Sequence, residues 1–129
     1  GLGDQIWSGT VLKLDSNGQK QWSYRTNNMC NVNSVIETSD GGYVAGLGDQ
    51  IWSGTVLKLD SNGQKQWSYR TNNMCNVNSV IETSDGGYMA GLGDQVWSGT
   101  VLKLDSNGQK QWSYRTNNMC NVNSVAQTY

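Results

Sequence analysis

The sequence predicts an all-β fold built from tandem repeats. Three observations carry that expectation. A 45-residue unit recurs almost letter for letter, each unit holds short stretches of alternating apolar and polar residues, and Gly-rich turn signals separate those stretches. The first unit, Gly1–Ala45, reads GLGDQIWSGTVLKLDSNGQKQWSYRTNNMCNVNSVIETSDGGYVA. Gly46–Ala90 repeats it with Met89 in place of Val44. The third unit starts at Gly91, carries Val96 where the others have Ile6 and Ile51, and ends on an altered Ala126-Gln127-Thr128-Tyr129. The chain therefore reads as a single repeat domain, 1–129, with units 1–45, 46–90 and 91–129. It begins at Gly1 without an initiator Met, as expected of a processed chain or a piece of a longer one.

Four β segments fit each unit. Thr10–Leu14 alternates, which places Leu12 and Leu14 on one face. Asp15-Ser16-Asn17-Gly18 follows, and Asn-Gly between alternating segments is a strong hairpin signal. Lys20–Thr26 returns with Trp22 and Tyr24 on a shared face. Val32–Thr38 comes next, with Val32, Ser34 and Ile36 opposing Asn33, Val35 and Glu37. Asp40-Gly41-Gly42 makes a second tight turn into Tyr43–Gly46. No stretch sustains a helical period.

Composition narrows the function classes. Only 36% of the residues are hydrophobic, and Phe, Pro and His are absent, so six Trp and six Tyr must supply much of the buried area. A net charge of −1 with interspersed signs gives no basic stripe for nucleic acid. No apolar run approaches the roughly 20 residues of a membrane-spanning helix. Without His, acid–base chemistry near neutral pH would need a tuned carboxylate, Lys or Cys, and three copies of every residue leave no unique catalytic constellation. The chain reads as no enzyme. Cys30, Cys75 and Cys120 recur at one place per unit, are odd in number and have neither His nor C-x-x-C beside them, so free thiols are expected, with an intermolecular bridge as the alternative, and no metal. The Asp15–Gly18 turn lacks the later acids of a calcium loop. No cofactor is expected.

Four antiparallel strands per unit of this length is the arithmetic of a β-propeller blade, the fold class expected here. A β-trefoil or three-sheet β-prism, each closed by a single chain, is the alternative. The stretches Val11–Gly18, then Trp22-Ser23, then Ile36–Gly46 resemble the blades of a secreted bacterial β-propeller repeat, in which a KLDSNG…W hairpin precedes a TSDGGY…AG hairpin. The resemblance implies an order from the axis outward of Val32–Thr38, Tyr43–Gly46, Thr10–Leu14 and Lys20–Thr26. It also implies an extracellular setting, and fold far more than function. Three blades cannot surround an axis, because propellers need about four to eight. The expected partner is therefore a second copy, closing a six-bladed ring, with a filament as the open alternative. The seam would set Thr10–Thr26 of one chain beside Val122–Thr128 of another.

In that arrangement the turns share one rim and the longer connections the other. The second rim would gather Asp4, Trp7, Arg25, Asn27 and Asn28, then Asp49, Trp52, Arg70, Asn72 and Asn73, then Asp94, Trp97, Arg115, Asn117 and Asn118. Aromatic rings beside Asp, Asn and Arg can stack on a sugar face and bond its hydroxyls, so these are candidate glycan-binding residues. The same residue types serve turns and packing equally well. Trp22, Trp67 and Trp112, inside strands, read as packing. The leading functional expectation is a non-catalytic, self-assembling scaffold; the alternative is a multivalent lectin with one site per repeat.

Overall fold

The computed structural model describes residues 9–26, 30–49, 54–71, 75–94, 99–116 and 122–128. Within them run ten strands: β1 (Thr10–Leu14), β2 (Lys20–Arg25), β3 (Cys30–Glu37), β4 (Tyr43–Asp49), β5 (Gly54–Leu59), β6 (Lys65–Arg70), β7 (Cys75–Glu82), β8 (Tyr88–Asp94), β9 (Gly99–Leu104) and β10 (Lys110–Arg115). They form a two-stranded sheet, β1-β2, and two four-stranded sheets, β3-β4-β5-β6 and β7-β8-β9-β10, antiparallel throughout. The all-β class stands, and the first two units each supply four strands, but in the third, among the described residues, only β9, β10 and the end of β8 are strands and the expected strand 122–128 is not one.

The propeller does not. The described residues hold three sheets of two, four and four strands, none closed or curled into a propeller, in place of three four-stranded blades. The outer units explain the shortfall. β1 and β2 pair only with each other, and segment 122–128 touches β8 through one long backbone bond, Val122 N–H to Leu92 O at 3.3 Å, without forming a ladder. The sheets instead stack in series. One core joins Val11 of the first sheet to Ala45, Leu47, Leu57 and Leu59 of the middle sheet. The other joins Val44 and Val56 to Val77, Val80, Tyr88, Ala90, Leu92, Leu102 and Leu104 of the last. Both cores use the middle sheet, so the threefold closure that a trefoil or prism requires is not observed either.

β4 and β8 run three residues past the Gly46 boundary that the sequence suggests. Glycine usually weakens a strand interior, but here it lets two sheets approach. A Cβ on Gly46 would lie 2.6 Å from Val77 Cγ1, and one on Gly91 would lie 2.7 Å from Val122 Cγ1. Side chains on alternate positions therefore leave opposite faces of the middle sheet. Leu57 and Leu59 face the first sheet, and Val56 faces the last. Burying each such aliphatic side chain contributes about 1.5–3 kcal/mol.

The hairpins are four-residue turns closed by a left-handed glycine. Gly18 N–H donates to Asp15 O (3.0 Å), Asp15 N–H donates to Gln19 O (2.9 Å), and Gly18 has φ of 79°. The Asp15 carboxylate accepts from the N–H groups of Asn17 and Gln19, each at 2.9 Å. A register shift after Lys13 accommodates the extra residue, as in a type I turn with a G1 bulge. Gly63 and Gly108 repeat the conformation at 81°.

Two outcomes follow from this packing. Gly46→Val should force the middle and last sheets apart and cost about 1–3 kcal/mol, lowering the thermal midpoint. Replacing Gly18, Gly63 and Gly108 together by Val should cost about 1–2 kcal/mol per turn through left-handed strain, read by denaturant titration. Melting unchanged from wild type would contradict the hairpin geometry.

Candidate self-association surface

Each junction between sheets repeats one set of contacts. Trp22, on the Val11 face of the first sheet, lies across the Gly63 turn of the next unit so closely that a Cβ there would sit 2.5 Å from its ring. Its Nε1–H donates to Ser61 O (3.0 Å), and its ring meets Tyr43 edge-on at 5.4 Å and 65°. Trp67 repeats the arrangement over Gly108, with Tyr88 at 5.5 Å and 55°. Trp22 and Trp67 are thus packing residues.

Polar contacts fix the register between units. Asn33 Nδ2 donates to Val77 O (2.8 Å), and Asn78 Nδ2 donates to Val122 O (3.0 Å). Glu82 accepts from Ser39 N–H (2.8 Å) and Ser39 Oγ–H (2.6 Å). In the last unit Gln127 takes Glu82's place, accepting from Ser84 N–H (2.7 Å) and donating from Nε2 to Ser84 Oγ (2.8 Å). Segment 122–128 therefore occupies, against the last sheet, the position that β7 occupies against the middle one. An open cleft of about 290 Å³ at this rim is lined by Ser39, Glu82, Thr83, Ser84 and Gly86. The Glu82 carboxylate in it is already committed to Ser39.

The buried lysines are what the sequence reading missed. Lys58 is 2% exposed, yet its ammonium meets Asp40 Oδ2 (3.1 Å), Leu59 O (3.0 Å) and Gln66 Oε1 (3.1 Å), which use all three donors. Lys103 repeats this with Asp85, Leu104 O and Gln111. The signal was parity: Lys13 alternates onto the face of Val11, opposite Leu12 and Leu14, and that face is covered once sheets stack. In the first unit Lys13 donates to Leu14 O (3.1 Å), and among the described residues no counterpart of Asp40 reaches it.

The two ends of the stack differ from its interior. Leu12 and Leu14 are 53% and 43% exposed, whereas their repeats Leu57 and Leu59 are 3% and 0%. At the other end Trp112 and Tyr114 are 47% and 66% exposed, while Trp67 and Tyr69 are half-buried against the next sheet. Each end leaves exposed residues whose repeats are covered inside the chain.

Of the candidate glycan residues, Arg25, Asp49, Arg70, Asp94 and Arg115 fall among the described residues. Strand directions place the hairpin turns at one end of the strands and the strand ends that lead into the connections at the other. Arg25, Arg70 and Arg115 end β2, β6 and β10 on the connection rim, where β4 and β8 also end at Asp49 and Asp94. Buried Thr26 and Thr71 brace that rim. Thr26 Oγ1 accepts from Gly9 N–H (2.8 Å) and donates to Gly9 O (2.9 Å), and Thr71 does the same with Gly54 at 2.8 and 3.2 Å. Asp4, Trp7, Asn27, Asn28, Trp52, Asn72, Asn73, Trp97, Asn117 and Asn118 lie outside the described residues, as does Cys120, while Cys30 and Cys75 open β3 and β7.

No family model matches the chain, and no curated protein matches it. A solved structure, that of a protein of unknown function from Bacteroides caccae, is similar with a TM-score of 0.67 at 14% identity. The match covers 83% of this chain and 37% of that one, so the chain spans little more than a third of that protein's length. The likeness shows a shared all-β fold.

Acid should loosen the turns that hold the lysines. The Thr38 hydroxyl, the Gly42 N–H and the Lys58 ammonium hold Asp40 down to about 2 from the ordinary 3.8, despite the opposing effect of burial. Thr83, Gly87 and Lys103 hold Asp85 down to about 2 in the same way. A carboxylate whose folded value is depressed stabilises the fold above its unfolded value and loses that contribution as pH falls. The thermal midpoint should therefore drop between pH 4 and pH 2, and Asp40→Asn with Asp85→Asn should flatten that drop. An equally steep drop in the double variant would show that other carboxylates control it.

Proposed function

We propose that the chain is a non-catalytic structural repeat whose activity is association with further copies of itself into an open, extended β scaffold. The single observation that carries this reading is the contrast between interior and ends. Leu57 and Leu59 are sealed inside while Leu12 and Leu14 face solvent, and Trp67 is packed while Trp112 is bare. Exposed apolar faces and unpaired strand edges are association sites, and repeat stacks need polar caps to stay apart. Identical units make each uncovered surface complementary to one already built elsewhere in the same chain. The absence of His and the commitment of Lys58, Lys103 and Glu82 to structural contacts support a role without catalysis. An extracellular setting is part of the same proposal, supported by the resemblance to a secreted repeat.

Light scattering coupled to size exclusion tests it. The 129-residue chain should elute at multiples of 14.2 kDa that grow with concentration. A 14.2 kDa species at every concentration up to the millimolar range would remove the scaffold reading.

A further inference from the structure

We infer that copies of this chain join head to tail, the Trp112 face of one seating on the Gly18 turn and the Leu12–Leu14 face of a second. The inference rests on the scaffold reading and adds to it a direction and a register. Inside the chain, each tryptophan lies over a turn glycine of the following unit: Trp22 over Gly63, and Trp67 over Gly108. Continuing the same step, Trp112 falls on the Gly18 turn of a following copy. That turn is open, because a Cβ at Gly18 would meet nothing within 4 Å, whereas at Gly63 and Gly108 it would strike a tryptophan ring. The Nε1–H of Trp112 then has Ser16 O of the second copy as its acceptor, as Trp22 has Ser61 O.

The apolar surfaces match in the same register. Trp67, Tyr69 and Val56 of the middle sheet face Leu102 and Leu104 of the last. Their repeats Trp112, Tyr114 and Val101 would face Leu12 and Leu14 of a second copy. Segment 122–128 already lies on Gly91 as β7 lies on Gly46, through Val122 and Val125 in place of Val77 and Val80. It therefore holds the first lane of the sheet whose third and fourth lanes are the second copy's β1 and β2. Because the two surfaces differ, the contact is heterologous and each copy added exposes the same pair of ends again.

Complementation of two half-blocked variants tests the direction. Trp112→Ala with Tyr114→Ala blocks one face, and Leu12→Asp with Leu14→Asp blocks the other. All four side chains are exposed, and circular dichroism melts should confirm that both variants fold; the single changes Trp112→Ala and Leu12→Asp serve if a double variant does not. Each variant alone should remain at 14.2 kDa, and an equimolar mixture should run at twice that mass and grow no further, while the wild type forms larger species. If either variant alone assembles like the wild type, or the mixture stays monomeric while the wild type assembles, the head-to-tail contact is wrong and the scaffold reading survives. A monomeric wild type overturns both.

Discussion

The structure depends on how closely two sheets can stack, and glycine sets that distance. Gly46 and Gly91 stand where the methyl groups of Val77 and Val122 press against the strand backbone, at separations that no Cβ could share. That approach brings Val44 and Val56 into one core with Val77, Val80 and Leu102, although the chain is poor in apolar residues. Tryptophan supplies the remaining area by lying flat over turn glycines. A protein with 36% hydrophobic residues builds its core by proximity more than by bulk.

The same stacking explains why charge is found inside. Once both faces of β5 are covered, the residue that shares a face with Val56 has no route to solvent, and that residue is Lys58. Three acceptors converge on its ammonium and satisfy its donors, one from the Asp40 turn, one from its own strand and one from β6. The glycine at 42 belongs to this arrangement, since a Cβ there would lie 2.5 Å from Lys58 Nζ. The DGG turn is therefore a binding cradle for an interior lysine as well as a chain reversal. The depressed Asp40 value reflects that second role, after the larger contributions of Thr38 and Gly42.

A stack of sheets made from near-identical units has no natural end. Every interior junction is satisfied on both sides, and each terminal sheet keeps one unsatisfied side. Here the two terminal surfaces are unlike one another: leucines at one end, a tryptophan and a tyrosine at the other. That asymmetry follows from pleating, because alternate positions of one strand sequence leave opposite faces. The scaffold reading and its direction both come from this geometry.

The amino-acid sequence by itself determined the β class, the unit length, β1 to the residue, the approximate place of the other strands, and both turns. Those features rest on alternation and on glycines whose positive φ is a local requirement, so they are legible without neighbours. It also marked Trp22, Trp67 and Trp112 as packing residues; the first two pack, whereas Trp112 at the end of the stack is 47% exposed. The arrangement of sheets was decided only by tertiary structure. Four strands per unit suit a propeller, a prism or a serial stack equally well, because strand count says nothing about the angle between successive sheets or about whether they close. The extension of β4 through Gly46 and Gly48, the burial of Lys58 and the bare faces at Leu12 and Trp112 were hidden for the same reason. Each depends on what lies across the sheet face, and contacts between residues some 40 positions apart leave no mark on local pattern.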